Sequence, residues 1–197
     1  FYITGHPLAR HADAIRRFAT CDTAGLQERA DKEEVKVCGI VAALKEVTTK
    51  KGDRMALVTL EDLAGTVETV VFPEAFQSAS ELLKSEEPLL VTGSLEVGEE
   101  TVKLRATEIV SLREVTERLT RRVHFRVTTP GLDEGQLRGL RGLMERHRGN
   151  CEALLHLVIP NRSETLLALP EELRVAASDG LMDDTKKLFG YNVVTFE

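Results

Sequence analysis

Residues 49–73 read TKKGDRMALVTLEDLAGTVETVVFP, and this stretch decides the fold of the region around it. It holds two apolar runs, 55–61 and 66–72, each about the length of one β-strand and separated by a polar turn that contains Gly65. Another polar turn precedes the first run, and a proline follows the second run where a helix can begin. The stretch therefore predicts two strands joined by a turn, with a second turn before them and a helix after them.

Strand patterns continue on both sides of this stretch, from Val35 to Leu112. The predicted strands are residues 35–47, 55–61, 66–72, 89–97 and 100–112, with a short helix after the third strand and a tight turn at Gly98 and Glu99. Three strands, one helix and two strands form the element order of an OB-fold barrel. Gly39 and Gly93 lie inside predicted strands, where glycine often marks the bends of a small barrel.

Residues 1–34 predict a helical segment, because apolar and small residues recur there at helical spacing after Pro7. Thr23 is placed to cap a short helix that includes Leu26. The segment has too few large apolar residues for its own core, which favours either the tail of an upstream domain or an arm that packs on the barrel. The first residue is Phe1 and not methionine, so we expect a segment of a longer chain.

Residues 113–197 predict a second domain that begins with a charged linker or short helix at 113–120. A strand, an amphipathic helix, two or three further strands, a second helix and a closing strand follow. The third of those further strands is the optional one, at 173–175. We therefore predict a mainly β chain with an α+β part: a short helical segment, an OB-fold β-barrel at 35–112 and a small α+β sandwich domain at 113–197.

The composition fits a folded domain pair, with 42% hydrophobic and 29% charged residues among 197. No apolar run reaches the roughly 18 residues that a membrane helix needs, so no membrane contact is expected. Three distant cysteines predict a reducing cytoplasm rather than disulfides. Residues 35–112 hold 8 Lys and Arg against 13 Asp and Glu, so nucleic acid must meet a local basic patch.

The sequence contains no motif for a metal, a cofactor or hydrolytic catalysis, so neither a cofactor nor a catalytic residue is predicted. Asp53, Glu61 and Asp62 surround a turn and are expected to serve as turn or cap residues rather than as magnesium ligands. His6 is expected to have a structural role.

Basic side chains gather at two places in the predicted barrel. OB-fold proteins bind oligonucleotides with the turn between the first two strands and with the region around the last two. The candidate DNA-binding residues at these places are Lys45, Lys50, Lys51, Arg54, Lys103 and Arg105. The alternative is that the turn lysines are only a solvated hairpin tip.

Aromatic side chains are scarce in the predicted barrel, which holds only Phe72 and Phe76. Both positions favour a role in the core. Stacking on aromatic rings contributes about 1–3 kcal/mol per base in single-strand binding. Without it, we expect weak, salt-sensitive and sequence-independent binding.

Two features of the last domain favour a partner surface. Arg122, His124 and Arg126 alternate with apolar residues, and a solvated face is their other interpretation. The closing segment, which contains Val194 and Phe196, is typical of an edge strand, and edge strands often bind partners by strand addition.

Residues 49–73 are similar to the OB-domain region of the bacterial DNA polymerase III alpha subunit family. TKKGD before Met55, the pattern LED-x-x-G that ends at Gly65, and VFP at 71–73 occur together at the spacing of that family. The segment FYITGHPL at 1–8 resembles the one that stands ahead of the domain. Residues 1–112 carry the resemblance by motif, and residues 113–197 by position and element order.

The resemblance implies a non-catalytic C-terminal part of a DNA-directed DNA polymerase, a nucleotidyltransferase whose catalytic aspartates lie upstream. It implies that the barrel binds single-stranded template and that the last domain binds the tau subunit of the clamp loader. The partners would be single-stranded DNA, tau and the rest of the alpha chain, in the bacterial cytoplasm at the replisome. The alternative is an interaction module that contacts protein and no nucleic acid.

Overall fold

The computed structural model describes residues 7–98 and 101–197. The predictions for the segment that contains His6 and for Glu99 in the predicted tight turn lie outside the described residues. The chain divides into two compact units, with the boundary between Glu114 and Val115, and each unit is described by itself.

The first unit is a closed five-stranded barrel with the strand order β1-β2-β3-β5-β4, which confirms the predicted OB-fold. Its strands are β1 (Glu34–Thr48), β2 (Arg54–Glu61), β3 (Thr66–Val71), β4 (Leu89–Val97) and β5 (Val102–Ser111). Neighbouring strands are antiparallel except for β3 and β5, whose parallel pairing closes the barrel.

Alternation along the strands fills the barrel interior, because successive side chains of a strand point to opposite faces. In β2, for example, Ala56, Val58 and Leu60 are buried. Gly93 lies where the register of β4 and β5 shifts, and a Cβ atom there would lie 2.3 Å from the Arg105 carbonyl oxygen. Only glycine fits this close approach of two backbones, as expected for a bend in the barrel wall.

Helix α2 (Pro73–Ala79) follows β3 and begins with proline at its first turn, as predicted. Its Ala75, Phe76 and Ala79 side chains are buried and join the barrel core, so the core position predicted for Phe76 is confirmed.

The N-terminal segment packs on the barrel. It contains a 3-10 helix at Pro7–His11, helix α1 (Ala12–Phe18) and a second 3-10 helix at Ala24–Glu28. Leu26 is buried in the barrel core. Thr23 does not cap the second 3-10 helix with its side chain, since its hydroxyl donates to Asp62 at 2.6 Å instead.

The Asp62 carboxylate holds the turn between β2 and β3 and the N-terminal segment together. It accepts from the backbone N–H groups of Ala64 and Gly65 at 2.8 and 2.9 Å, and from that of Thr23 at 2.7 Å. These bonds use both carboxylate oxygens, so Asp62 has the turn role that the sequence favoured.

The second unit is a four-stranded sheet with two helices. Helix α3 (Leu112–Leu119) crosses the boundary and occupies the predicted linker or short helix. The other elements are β6 (Arg122–Thr128), α4 (Glu134–Arg146), β7 (Arg148–Ile159), β8 (Ser163–Ala168), α5 (Asp179–Phe189) and β9 (Val194–Phe196). The sheet order is β8-β7-β6-β9, with β6 and β7 parallel, so β8 and β9 are the edges.

The helix ends of this unit follow the sequence. Asp133 and Gln136 form the predicted capping box, in which the Asp133 carboxylate accepts from the Gln136 N–H at 2.7 Å. Gly190 ends α5 with φ at +81°, a left-handed conformation that favours glycine. The predicted strand at 173–175 is wrong: this segment begins within a 3-10 helix, and Val175 forms only isolated bridges.

The described cysteines are free thiols, and burial raises the pKa of Cys38 to about 12. No helix within residues 7–98 and 101–197 combines the length and the apolar character needed to cross a membrane.

Candidate nucleic-acid interface

The turn between β1 and β2 presents two lysines on a fixed frame. Thr49 accepts at its carbonyl from the Gly52 N–H at 3.0 Å, and Gly52 has φ at +93°. The Thr49 hydroxyl accepts from the N–H groups of Lys51 and Asp53 at 3.3 and 3.1 Å. Lys50 and Lys51 are therefore held at the exposed tip, and neither has an ion-pair partner among the residues described.

The strand register aligns two further cations, Lys45 and Arg105, with each other. Lys45 of β1 is opposite Leu57 of β2, Leu57 is opposite Val70 of β3, and Val70 is opposite Arg105 of β5. Side chains that are opposite each other in a ladder share a face. Lys45 and Arg105 thus end a row on the outer surface of the barrel, with two apolar side chains between them.

Phe72 adds an aromatic ring to this surface. The ring is 38% exposed, and the Arg105 guanidinium carbon lies 4.9 Å from the ring centroid, as in a cation–π contact. The prediction that Phe72 is a core residue is wrong. Val67, Thr69 and Val71 point inward, so the alternation of β3 directs Val70 and the residue after the strand outward.

Arg54 does not share this surface. Arg54 belongs to the set of alternate β2 positions that face the barrel interior, which Ala56 continues. It lies at the α2 end of the barrel, where it pairs with Glu46. Its guanidinium carbon lies 5.6 Å from the centroid of the Phe76 ring. Lys84 also contacts Glu46, at 3.3 Å, and the two cations lower the pKa of that carboxyl. Arg54 thus shares one carboxylate with Lys84, and its role as a DNA-binding residue stays a prediction.

Lys103 is only partly available. Its ammonium nitrogen lies 3.2 Å from the Glu68 carboxylate, which is opposite it in the register of β3 and β5. The sequence showed the outward direction of Lys103 but not this neighbour on another strand. Of the predicted cations, those without an acidic partner among the described residues are Lys45, Lys50, Lys51 and Arg105.

In the second unit, the predicted basic residues of β6 face away from the core. Arg122 contacts Glu152 at 3.4 Å and Glu197 at 3.2 Å. Arg126 contacts Glu164 at 2.5 Å. Acidic neighbours from three other segments thus neutralise the basic run.

His124 belongs to a chain of four hydrogen-bonded side chains on the same face. His124 Nε2 lies 2.7 Å from Glu197, and its Nδ1 lies 2.8 Å from His156 Nε2. His156 Nδ1 lies 2.6 Å from Glu164. We call Glu197, His124, His156 and Glu164 the histidine chain; the sequence pattern gave no sign of the His156 contact.

The side chain of Val194 is buried in the core, and that of Phe196 is partly buried against it. They are opposite Phe125 and Val123, and Val194 is only 2% exposed. Arg122 and Glu197 exchange both backbone hydrogen bonds, so the next pair, Val123 and Phe196, is a non-bonded pair of the ladder. The backbone groups of Phe196 therefore face away from β6, along the sheet edge.

The described residues contain no group of three or more His, Cys, Asp or Glu side chains that could hold a metal ion.

The closed five-stranded barrel has the strand order of an OB-fold. The family model described as an OB-fold nucleic acid binding domain matches residues 35–112, the range predicted from the strand order. These residues therefore form an OB-fold.

The whole chain is similar to the DNA polymerase III subunit alpha, which confirms the resemblance carried by residues 49–73. It is 32% identical over 191 residues to the subunit of Pseudomonas fluorescens, covering 96% of this chain and 16% of that protein. It is 28% identical over 202 residues to that of Escherichia coli strain K12, covering 100% of this chain and 17% of the relative. It is 33% identical over 174 residues to the subunit of Thermus aquaticus, covering 86% of this chain and 14% of that protein. The chain thus spans about a sixth of the length of these relatives.

Proposed function

We propose that the chain serves bacterial DNA replication as a non-catalytic segment of a polymerase III alpha subunit, and that its barrel binds single-stranded template weakly. The observation that carries the proposal is the outer row that ends in Lys45 and Arg105, with the Phe72 ring beside Arg105 and the exposed turn lysines Lys50 and Lys51 on the hairpin that follows Lys45. It combines what single-strand binding requires: cations for the sugar–phosphate chain and a ring for a base.

The charges explain why the binding should be weak. The barrel region has more acidic than basic residues, and Arg54 and Lys103 are paired with glutamates. Few phosphate contacts remain, so affinity should be low and should fall with salt. A weak module is sufficient where a neighbouring domain already holds the template, because tethering raises its effective concentration.

Fluorescence anisotropy with a labelled dT oligonucleotide tests the proposal. We expect binding by the 197-residue chain at low salt that is independent of base sequence. Cross-linking from Lys51 in the longer polymerase, on primed DNA, should reach unpaired template. No measurable binding at high protein concentration would instead favour the protein-interaction module.

Within the same proposal, the second unit binds the tau subunit of the clamp loader. The support is the edge strand β9, whose outward backbone groups at Phe196 are suited to strand addition. The side chains of Arg122, His124 and Arg126 lie on the neighbouring open face. Val194 takes part only through the stability of the strand, because its side chain is buried.

The tau proposal is tested by two variants of one residue. Phe196→Pro removes both the ring and the outward N–H, whereas Phe196→Ala removes the ring and keeps the N–H. If tau adds a strand, the proline variant should lose far more tau affinity than the alanine variant in surface plasmon resonance. Equal affinities of the two variants would exclude pairing at this edge.

We further propose that the segment itself has no polymerase or nuclease activity, since no catalytic motif occurs in it. Primer-extension and nuclease assays on the 197-residue chain should both show no activity above background. Activity that survives further purification would contradict this.

A further inference from the structure

The edge strand β8 of the second unit turns part of its backbone away from the sheet. On β7, the Val158 carbonyl accepts from the N–H of Thr129, which follows β6, at 2.9 Å, so the even-numbered residues of β7 bond toward β6. The odd-numbered residues bond toward β8, as in the donation from the Leu169 N–H to the Ala153 carbonyl at 3.0 Å. Bonded and non-bonded pairs alternate in an antiparallel ladder. The β8 residues whose N–H and C=O groups face outward are therefore Glu164, Leu166 and Ala168.

β8 has none of the features that usually protect an edge strand. Its six residues include no proline and no lysine, and their register with β7 runs without a bulge. Its one charged residue, Glu164, is held on the open face of the sheet by Arg126 at 2.5 Å and His156 at 2.6 Å. Leu166 and Leu167 are 55% and 42% exposed, on opposite faces of the strand. These are the properties of an edge that another strand covers.

A second copy of β8 fits this edge in one symmetric register. In a two-fold contact, each residue faces a residue that in turn faces it. With the axis at Leu166, that residue faces its own counterpart and Glu164 faces Ala168 of the other copy, so the outward groups of both strands are all paired. An axis at any other residue of β8 leaves an outward residue facing the turn at 160–162 or Pro170, which has no N–H.

The same register pairs the exposed side chains. Leu166 lies opposite Leu166 of the other copy on the open face, and Thr165 lies opposite Leu167 on the other face. No residue pair places like charges opposite each other, which would be destabilising. A contact of one strand from each copy is small, below about 1,200 Å², and interfaces of that size are weak. Association should therefore depend on concentration.

We propose that β8 is a self-association edge, which pairs antiparallel with β8 of a second copy of this chain about a two-fold axis at Leu166. Each outward residue then exchanges both backbone hydrogen bonds with the other copy, and the two four-stranded sheets join into one. The opposite edge, β9, stays free. The contact therefore does not depend on the DNA and tau proposals above.

Sedimentation velocity and amide hydrogen exchange over a concentration series of the 197-residue chain test the contact. In a sample that is about nine-tenths dimer, the N–H groups of Glu164, Leu166 and Ala168 should exchange about tenfold more slowly than in the dilute monomer, because their exchange then requires dissociation. Those of Thr165 and Leu167 already bond to β7 and should change far less. A chain that stays monomeric at the highest concentration used for NMR would overturn the proposal, and so would a dimer without this alternating protection.

Cysteine variants test the register. The partly exposed native thiol is first removed by Cys21→Ser, and the other cysteines are buried. Leu166→Cys should then form a linked dimer on mild oxidation, because opposite Cα atoms of a bonded pair lie about 5.5 Å apart, within the range of a disulfide. Leu167→Cys should link far less, since its counterpart lies on the diagonal at about 7–8 Å. Equal linking of the two variants would refute the axis at Leu166.

A charge at the axis should separate the copies. Leu166→Lys places two ammonium groups opposite each other and should abolish association in sedimentation velocity. Leu137 on α4, which is 40% exposed, is the matched control, and Leu137→Lys should keep the wild-type association. If Leu166→Lys fails to fold, the linking of Leu166→Cys decides. Undiminished association of folded Leu166→Lys would show that another surface joins the copies.

Discussion

Changing Lys50 and Lys51 together to alanine should reduce the salt dependence of single-strand binding by half. Each phosphate neutralised on a single strand contributes about −0.7 to the slope of log affinity against log salt. With Lys45 and Arg105, the outer surface offers four cations, which gives a slope of about −2.8. Between 50 and 200 mM salt, the wild-type affinity should fall about 50-fold and that of the double variant about 7-fold.

The assay is fluorescence anisotropy with a labelled dT oligonucleotide over a salt series at constant pH. Lys36 is a matched control, an exposed lysine of β1 opposite Thr92 of β4, and Lys36→Ala should keep the wild-type slope. Arg54→Gln should also keep it, because Glu46 already pairs with that guanidinium. Equal slopes for wild type and the lysine double variant would refute the assignment of the turn, whereas a large effect of Arg54→Gln would show that this guanidinium contacts DNA despite its pairing with Glu46.

Phe72→Ala should weaken oligonucleotide binding by about 1–3 kcal/mol if one base stacks on the ring, whereas Phe72→Tyr should preserve it in the same anisotropy assay. Gly93→Ala should lower the free energy of unfolding in urea by about 3 kcal/mol, since the new Cβ meets backbone atoms. Gly142→Ala in α4 meets nothing within 4 Å and should raise it by about 1 kcal/mol. The pKa of Glu46 is lowered in the folded state, so its contribution is present at neutral pH and is lost as the pH falls through that lowered value. Urea titrations of Glu46→Gln should therefore show a shallower loss of stability in acid than the wild type.

Alternation and turn chemistry were sufficient to predict the barrel from the sequence. The two apolar runs in residues 49–73, the proline after them and the glycines inside strands each specify a local conformation. The capping box at Asp133 was predicted correctly for the same reason, because its hydrogen bonds connect residues that are three apart in the sequence. The strand predicted at 173–175 was wrong because a segment of three residues carries too little periodicity to separate a strand from a turn.

The candidate site was predicted less completely, because its side chains meet partners that are distant in the sequence. Nothing near Arg54 indicates that Glu46 and Lys84 form an ion-pair group with it at the helix end of the barrel. Phe72 was misassigned although a stricter use of the alternation of β3 would have placed it outside. The histidine chain joins elements whose adjacency depends on the sheet order, which local patterns do not specify.

The parallel pairing of β3 with β5 has a consequence for how the two units can misassemble. A ladder that closes on itself offers no template on which another chain could extend a sheet, which makes the barrel resistant to strand exchange and fibre growth. The sheet of the second unit instead has an open edge at β8. All six residues of β8 are exposed, including Leu166 and Leu167. Aggregation of the purified chain should therefore begin at the β8 hairpin, and a charged substitution at Leu166 is the change most suited to suppress it.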